Sequence, residues 1–135
     1  MIHTLTIPGQ LPGLNEYIAA ERGGGGKYRA AAMKRDAEQL IGLCARQQLR
    51  GVQFTGPVTM AYTWYEPNRR RDKDNIAFAR KFVQDALVAA GVLQGDGWAC
   101  IEGFTDRFEV DKGNPRIEVL ICGEWKEKVA KKLQP

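Results

Sequence analysis

Two aspartates two residues apart, Asp72 and Asp74, sit in the run Asn68-Arg69-Arg70-Arg71-Asp72-Lys73-Asp74-Asn75. In an extended stretch alternate side chains project to the same side, so these carboxylates can reach one point in space. Like charges held that close repel unless a cation lies between them. Magnesium meets the need: it takes hard oxygen ligands, commonly one or two carboxylates, with waters and substrate phosphates completing the shell. The same Asp-Lys-Asp-Asn run is also good capping chemistry, because negative charge stabilises a helix N-terminus. Capping requires no arginine triplet, whereas phosphate binding beside a carboxylate–metal site does. Arg69, Arg70, Arg71 and Lys73 are therefore expected to grip a phosphate backbone, against the plainer reading of a solvated loop with surface ion pairs.

A third carboxylate, Asp96, follows in the turn Gln94-Gly95-Asp96-Gly97. The helix between them, from about Ile76 to Ala90, covers about 15 residues or roughly 22 Å. Within one subunit Asp96 is then distant from the pair unless the chain folds back; a dimer could instead supply it from the partner. On that helix Ala79, Phe82, Val83, Ala86, Leu87 and Ala90 form an apolar face. Asp74, Phe78, Lys81 and Asp85 line up on the opposite side, and an exposed Phe78 between charges implies a cover, a partner subunit or substrate. Lys81 is placed to stabilise charge building on a phosphate, or to pair with Asp85 four residues on.

The elements that must position these groups follow from periodicity. His3–Ile7 alternates as a strand that stops at Pro8, and Pro8–Gly13 is a loop leading to Asn15. Gly23–Gly26 reads as a flexible hinge. A helix runs from Tyr28 to about Arg50, with Met33, Ala37, Leu40, Ile41 and Cys44 at helical spacing and Gly51 as its stop. Val58–Tyr65 is the clearest strand, ended by Pro67. Two more strands are expected over Trp98 to about Phe108 and Arg116–Cys122, joined by the Lys112–Pro115 turn. The order is β-α-β-α-β-β, which makes an α+β single domain with one mixed sheet and two main helices. Residues 1–122 form that domain, and 123–135 form a basic tail with a short helix from Glu124 to Leu133 whose lysines add to the backbone grip.

The chain has 135 residues, 44% hydrophobic and 27% charged, which suits one globular domain rather than a disordered chain. A net charge of +4 permits a polyanionic partner. Cys44, Cys100 and Cys122 match no zinc spacing, and their odd number argues against a secreted disulfide framework. Each reads as a small buried hydrophobe in a reducing cytoplasm. No segment has the length and apolarity of a membrane span, nor is a signal-peptide pattern present, so a cytoplasmic protein without a membrane partner is expected.

Arg70-Arg71-Asp72-Lys73-Asp74-Asn75, a helix carrying Asp85-Ala86-Leu87, and then Gly91-Val92-Leu93-Gln94-Gly95-Asp96 resemble the RusA-type Holliday junction resolvases. Ile7-Pro8 with Pro12 and Asn15 also resembles that family's proline-rich opening loop and asparagine. The resemblance covers roughly residues 2–122, and 70–96 is its specific part. It implies a small homodimer that cuts four-way DNA junctions in recombination and repair, using Mg²⁺, with Mn²⁺ an acceptable substitute. Carried over by position, it makes Asp72, Asp74 and Asp96 the catalytic acids and metal ligands, and Asn15 and Asn75 supports of the acidic loop. Relative to the family pattern the helix carries three extra residues after Asn75, so counting forward from Asp74 puts Phe78 at the essential lysine position. Counting back from Asp85 and Asp96 puts Lys81 there, and only this count supplies a lysine. Gly95 stands where the family often has a second acid, which leaves Asp96 alone and weakens metal binding. The expected activity is metal-dependent phosphodiester hydrolysis; the alternative is a junction- or DNA-binding module whose catalysis is weak or lost.

Overall fold

A computed structural model describes residues 2–127. Its elements are β1 (Ile2–Pro8), α1 (Leu14–Arg22), α2 (Gly26–Gln48), β2 (Val52–Phe54), β3 (Val58–Glu66), α3 (Lys73–Ala77), α4 (Arg80–Ala89), β4 (Ile101–Val110), β5 (Arg116–Cys122) and β6 (Trp125–Glu127). The main sheet has the order β1-β5-β3-β4. β4 runs parallel to β3, whereas β5 is antiparallel to both β1 and β3, so the sheet is mixed and the fold α+β as expected. Along β3, Val58, Met60, Tyr62 and Trp64 are all buried, a period of two that turns one face to the helices. α2 and α4 cover that face with Ala37, Ile41, Cys44 and Ala45 from the first and Phe82, Val83, Ala86 and Leu87 from the second. No described helix is long and apolar enough to cross a membrane.

Several expectations need correction. α1 is an extra helix between the Pro8–Gly13 loop and the glycine run, a stretch given no element from sequence, and the glycine run is the tight turn that folds it back onto α2. Gly25 has φ +70, and a Cβ on Gly26 would collide with the Glu21 carbonyl, so only glycine fits there. The helix read as starting near Ile76 starts at Lys73 and breaks at Phe78–Ala79. There it tightens to three-residue bonds: Ala79 N–H donates to the Ile76 carbonyl and Lys81 N–H to the Phe78 carbonyl, at 3.3 and 3.2 Å. Phe78 needs no partner subunit to cover it, because Tyr17 of α1 and Phe82 each lie 5.4 Å away between ring centroids. The strand read from Trp98 begins at Ile101; Gly97–Cys100 is a turn closed by the Cys100 and Ile101 amides on the Gly97 carbonyl.

The tail differs as well. Trp125–Glu127 is a strand paired with β2, not the start of a helix, and residues 128–133 of the expected helix lie outside the described residues. The physical reason is aromatic: Trp125 packs edge-on against His3 at 4.8 Å and pairs in register with buried Phe54. Of the cysteines, Cys44 is buried, Cys100 half-buried and Cys122 exposed at the end of β5, so the buried reading holds only for the first.

Candidate active site

The acidic loop is built on a buried ion pair. β3 ends at Glu66, a carboxylate only 6% exposed. A charge so placed must be paired, and Arg71 supplies the partner from five residues on. Its Nε and Nη2 donate to the two Glu66 oxygens at 2.9 and 2.8 Å, a two-pronged fork. Arg71 Nη1 also donates to the Leu11 carbonyl at 3.0 Å, and Gln10 Nε2 donates to Glu66 at 3.0 Å. The residues between, Pro67–Arg70, are thereby closed into a loop pinned to the N-terminal segment.

A second brace acts on the other side of the aspartates. Asn75 is buried, and its Oδ1 accepts the Asn15 backbone N–H at 2.8 Å. Asn75 thus caps α1 from another part of the chain, satisfying one of the amides that a helix N-terminus leaves open. Gly13 is required by this contact, since a Cβ there would meet Asn75 Oδ1 at 2.6 Å. Asn15 takes part through its backbone; its own side chain is exposed and makes no hydrogen bond among the described residues.

Between the braces stand Asp72 and Asp74, both exposed. Asp72 has extended backbone, φ −68 and ψ 155, and is the N-cap of α3, but its side chain makes no capping hydrogen bond. Asp74 already lies in the first turn of α3, which corrects the reading of a wholly extended segment; its Oδ1 accepts the Asn75 N–H at 2.9 Å. Both aspartates line one open cavity of about 700 Å³, together with Arg69, Lys73 and the β4 residues Phe108, Glu109 and Val110. Lys73 leans toward Phe108, its Nζ 5.7 Å from the ring centroid. Two hard oxygen donors with room around them suit a divalent ion that keeps several waters.

The arginine triplet divides. Arg69 and Arg70 are exposed and form no ion pair among the described residues, while Arg71 is spent on Glu66. Arg71 therefore has a structural partner where the sequence suggested a phosphate.

Asp96 is elsewhere. It is not part of the cavity that holds Asp72 and Asp74, and among the described residues no three acidic or other metal-binding side chains come together. The chain does fold back after α4, but toward Lys81: Lys81 Nζ lies 3.4 Å from Asp96 Oδ2 and 3.2 Å from Asp85 Oδ1. Lys34 of α2 approaches the other Asp85 oxygen at 3.5 Å. Hydrogen bonding to Asp85, then to the Lys81 ammonium, holds the Asp96 carboxyl below the usual carboxylate range. Asp85 first and Asp96 second hold the Lys81 amine above its ordinary value. Arg80, the neighbouring cation, pairs with Asp106 and stacks over Phe104 at 4.3 Å, while Trp64 Nε1 donates to Asp106 at 2.9 Å. Arg80 thus ties α4 to β4.

Glu66, Gln10 and Glu16, whose Oε1 accepts from Arg71 Nη1 at 3.4 Å, were not found from sequence, and for Glu66 the signal was faint: an acid at the end of an otherwise apolar strand, just before proline. Trp98, wholly exposed two residues after Asp96, was likewise read only as the start of a strand.

The family model described as Endodeoxyribonuclease RusA matches residues 8–122 of the 135-residue chain. The chain belongs to this family. The match takes in the braced loop, both helices after it and the Asp96 turn, so the RusA assignment covers every candidate site residue. A search of curated proteins gave no match.

Proposed function

We propose that this RusA-family chain is a divalent-metal-dependent endonuclease that resolves four-way DNA junctions as a homodimer. The observation that carries the reading is the Asp72–Asp74 pair: two unshielded carboxylates on a doubly braced loop, in a cavity that also presents Arg69 and Lys73. Asp72 and Asp74 would hold Mg²⁺ or Mn²⁺. Bound there, the ion supplies an activated water and neutralises charge on the scissile phosphate. Arg69, Arg70 and Lys73 hold the DNA backbone, contacts that position the strand without reading sequence. Lys81 stands ready to stabilise phosphate charge once released from Asp96. Asn75, with the Asn15 backbone, fixes the loop's angle, and Arg71 fixes its other end.

Dimerisation accounts for the third acid. β4 is one of the two edge strands of the sheet, the one beside the acidic cavity, with one row of backbone groups left for another chain. A second copy pairing antiparallel along Ile101–Val110 sets its Ile101 end opposite Val110, which walls the Asp72–Asp74 cavity. The partner subunit's Asp96, five residues before that end, then reaches the pair from across the interface. Two such sites related by a two-fold axis suit symmetric cleavage of two strands.

The test is cleavage of a labelled four-way junction with Mg²⁺. Asp74→Asn is expected to lower the rate by roughly a thousandfold while junction binding persists; undiminished cleavage refutes the acid pair. Mixing inactive Asp74→Asn and Asp96→Asn proteins restores single-strand nicking if Asp96 acts across the dimer, because one mixed site is then intact. A mixture as inactive as its parts assigns Asp96 to its own subunit. A second reading, a junction-binding module without catalysis, draws on the engagement of Asp96 by Lys81 and Asp85 and predicts binding without nicking.

A further inference from the structure

Away from the acidic cavity, two adjoining clefts run between α2 and the C-terminal half of α4. One has a volume of about 410 Å³ and the other about 390 Å³, and Arg46 lines both. Their cations are Lys34, Arg35, Arg46 and Arg50, against the single acid Glu38. Lys34 is engaged by Asp85, but Arg35, Arg46 and Arg50 are exposed and form no ion pair among the described residues. Arg35 and Arg46 lie on one side of α2, eleven residues apart with Gly42 between them, and Arg50 follows four residues on, in the turn just past the helix end. An Arg46 Nη1 lies 4.0 Å from where a Gly42 Cβ would stand, so the guanidinium extends along the cleft over the gap that glycine leaves. The opposite wall is Ala86 and Ala89, too short to fill the cleft or to compete for the arginines.

A basic side chain near a helix C-terminus complements the helix dipole, which accounts for Arg46. It does not account for Arg35, in the middle of α2, or for a wall of small uncharged residues facing the row. From Arg35 to Arg46 the row spans roughly 16 Å at 1.5 Å per residue, about five phosphates of one duplex strand at 3.4 Å each, and Arg50 extends it past the helix end. It also starts beside the acidic chemistry, because Lys34 at its rim shares Asp85 with Lys81 and hence with Asp96.

We infer that the α2/α4 cleft is a second DNA-binding surface, one that holds the sugar-phosphate backbone of a duplex arm leaving the cleavage site. The inference rests on the nuclease reading for the identity of the polyanion. Arg35, Arg46 and Arg50 make phosphate contacts there, and the alanine wall lets the backbone settle into the cleft. Such contacts raise affinity for any duplex arm and carry no sequence preference.

The experiment measures binding of a fluorescent four-way junction, in EDTA, over a series of salt concentrations. Replacing Arg35, Arg46 and Arg50 together by alanine is expected to weaken binding about 10- to 100-fold near 0.1 M salt and to lower the salt slope by about 2–3, close to one per lost phosphate contact. The triple lysine variant keeps both near wild type. Single-turnover cleavage at saturating protein is unchanged, since the cleft does not touch the scissile phosphate. A triple alanine variant with an unaltered slope overturns the proposal. So does an equal loss in a control lacking Arg22, Lys27 and Lys112, which would reduce the effect to net charge. A wild type that binds no DNA refutes the nuclease reading itself, whereas wild-type binding and cutting with an unaffected triple variant sinks the cleft alone.

Discussion

The two stretches that carry the acidic residues are built in opposite ways. At the β3–α3 junction the backbone is braced on both sides, by the Glu66–Arg71 fork and by Asn75 capping α1, while the Asp72 carboxylate has no partner among the described residues. At the α4–β4 connection the backbone is held by turn bonds and by bonds to β2 and β3, from the Phe54 N–H to the Val92 carbonyl and from the Val58 N–H to the Cys100 carbonyl, while the Asp96 carboxylate is engaged by Lys81, which it shares with Asp85. One region braces its frame with side chains and leaves the functional group open; the other ties its frame through backbone bonds and occupies the group. A metal ligand benefits from the first arrangement, because like charges kept ready on a rigid loop gain most from a cation. The second suits a residue that must change partners.

The largest expected effect tests whether both regions serve one reaction. Asp96→Asn should lower junction cleavage by roughly a thousandfold, as for the braced pair. Thermal unfolding should hardly move, since exposed ion pairs contribute no more than about 1 kcal/mol. A stability loss with cleavage intact would make Asp96 a surface ion-pair residue only. Next comes the frame of the braced region. Arg71→Leu strands the Glu66 charge and should cost about 3 kcal/mol in denaturant unfolding. If Arg71 were a phosphate contact instead, the same change would weaken DNA binding and leave stability unmoved.

The smallest effect concerns pH. The Asp96 carboxyl is lowered, so what its network contributes is present above the ordinary carboxylate pKa of about 3.9 and is lost as pH falls through the lowered value. The Lys81 amine is raised, so its contribution is full below about 10.4 and is lost as pH rises through the raised value. Between pH 5 and 9 the tie should therefore stay constant. Carbon-detected NMR of labelled lysine should find Lys81 titrating above 10.4 in the free protein. Titration at or below that value would mean that the tie to Asp85 and Asp96 is absent in solution.

Much of the fold was legible because its signals are local. The β3 alternation of buried Val58, Met60, Tyr62 and Trp64, the apolar stripe of α2, and stops at Gly51 and Gly91, both with positive φ, are written in neighbouring residues. α1 was missed because the glycines and prolines around it outweigh a nine-residue helix capped from 60 residues away. β6 was missed because a basic composition favours a helix, and only contact with His3 and β2 makes it a strand. The acidic pair was legible through its spacing and its arginines, but the arginines were read as one group. Nothing in Arg69-Arg70-Arg71 tells which one faces Glu66.

By itself, the sequence determined the chemistry on offer: two carboxylates at fixed spacing, a third after a helix, cations beside them, and a family pattern that the RusA match covers. It did so because residue type and short-range spacing are properties of the chain. Only the tertiary structure decided that Arg71 is a brace rather than a grip, that Phe78 is covered by Tyr17, and that Asp96 turns toward Lys81. Those are choices of partner, and partners distant in sequence are selected by burial and charge once the sheet and helices have brought them together.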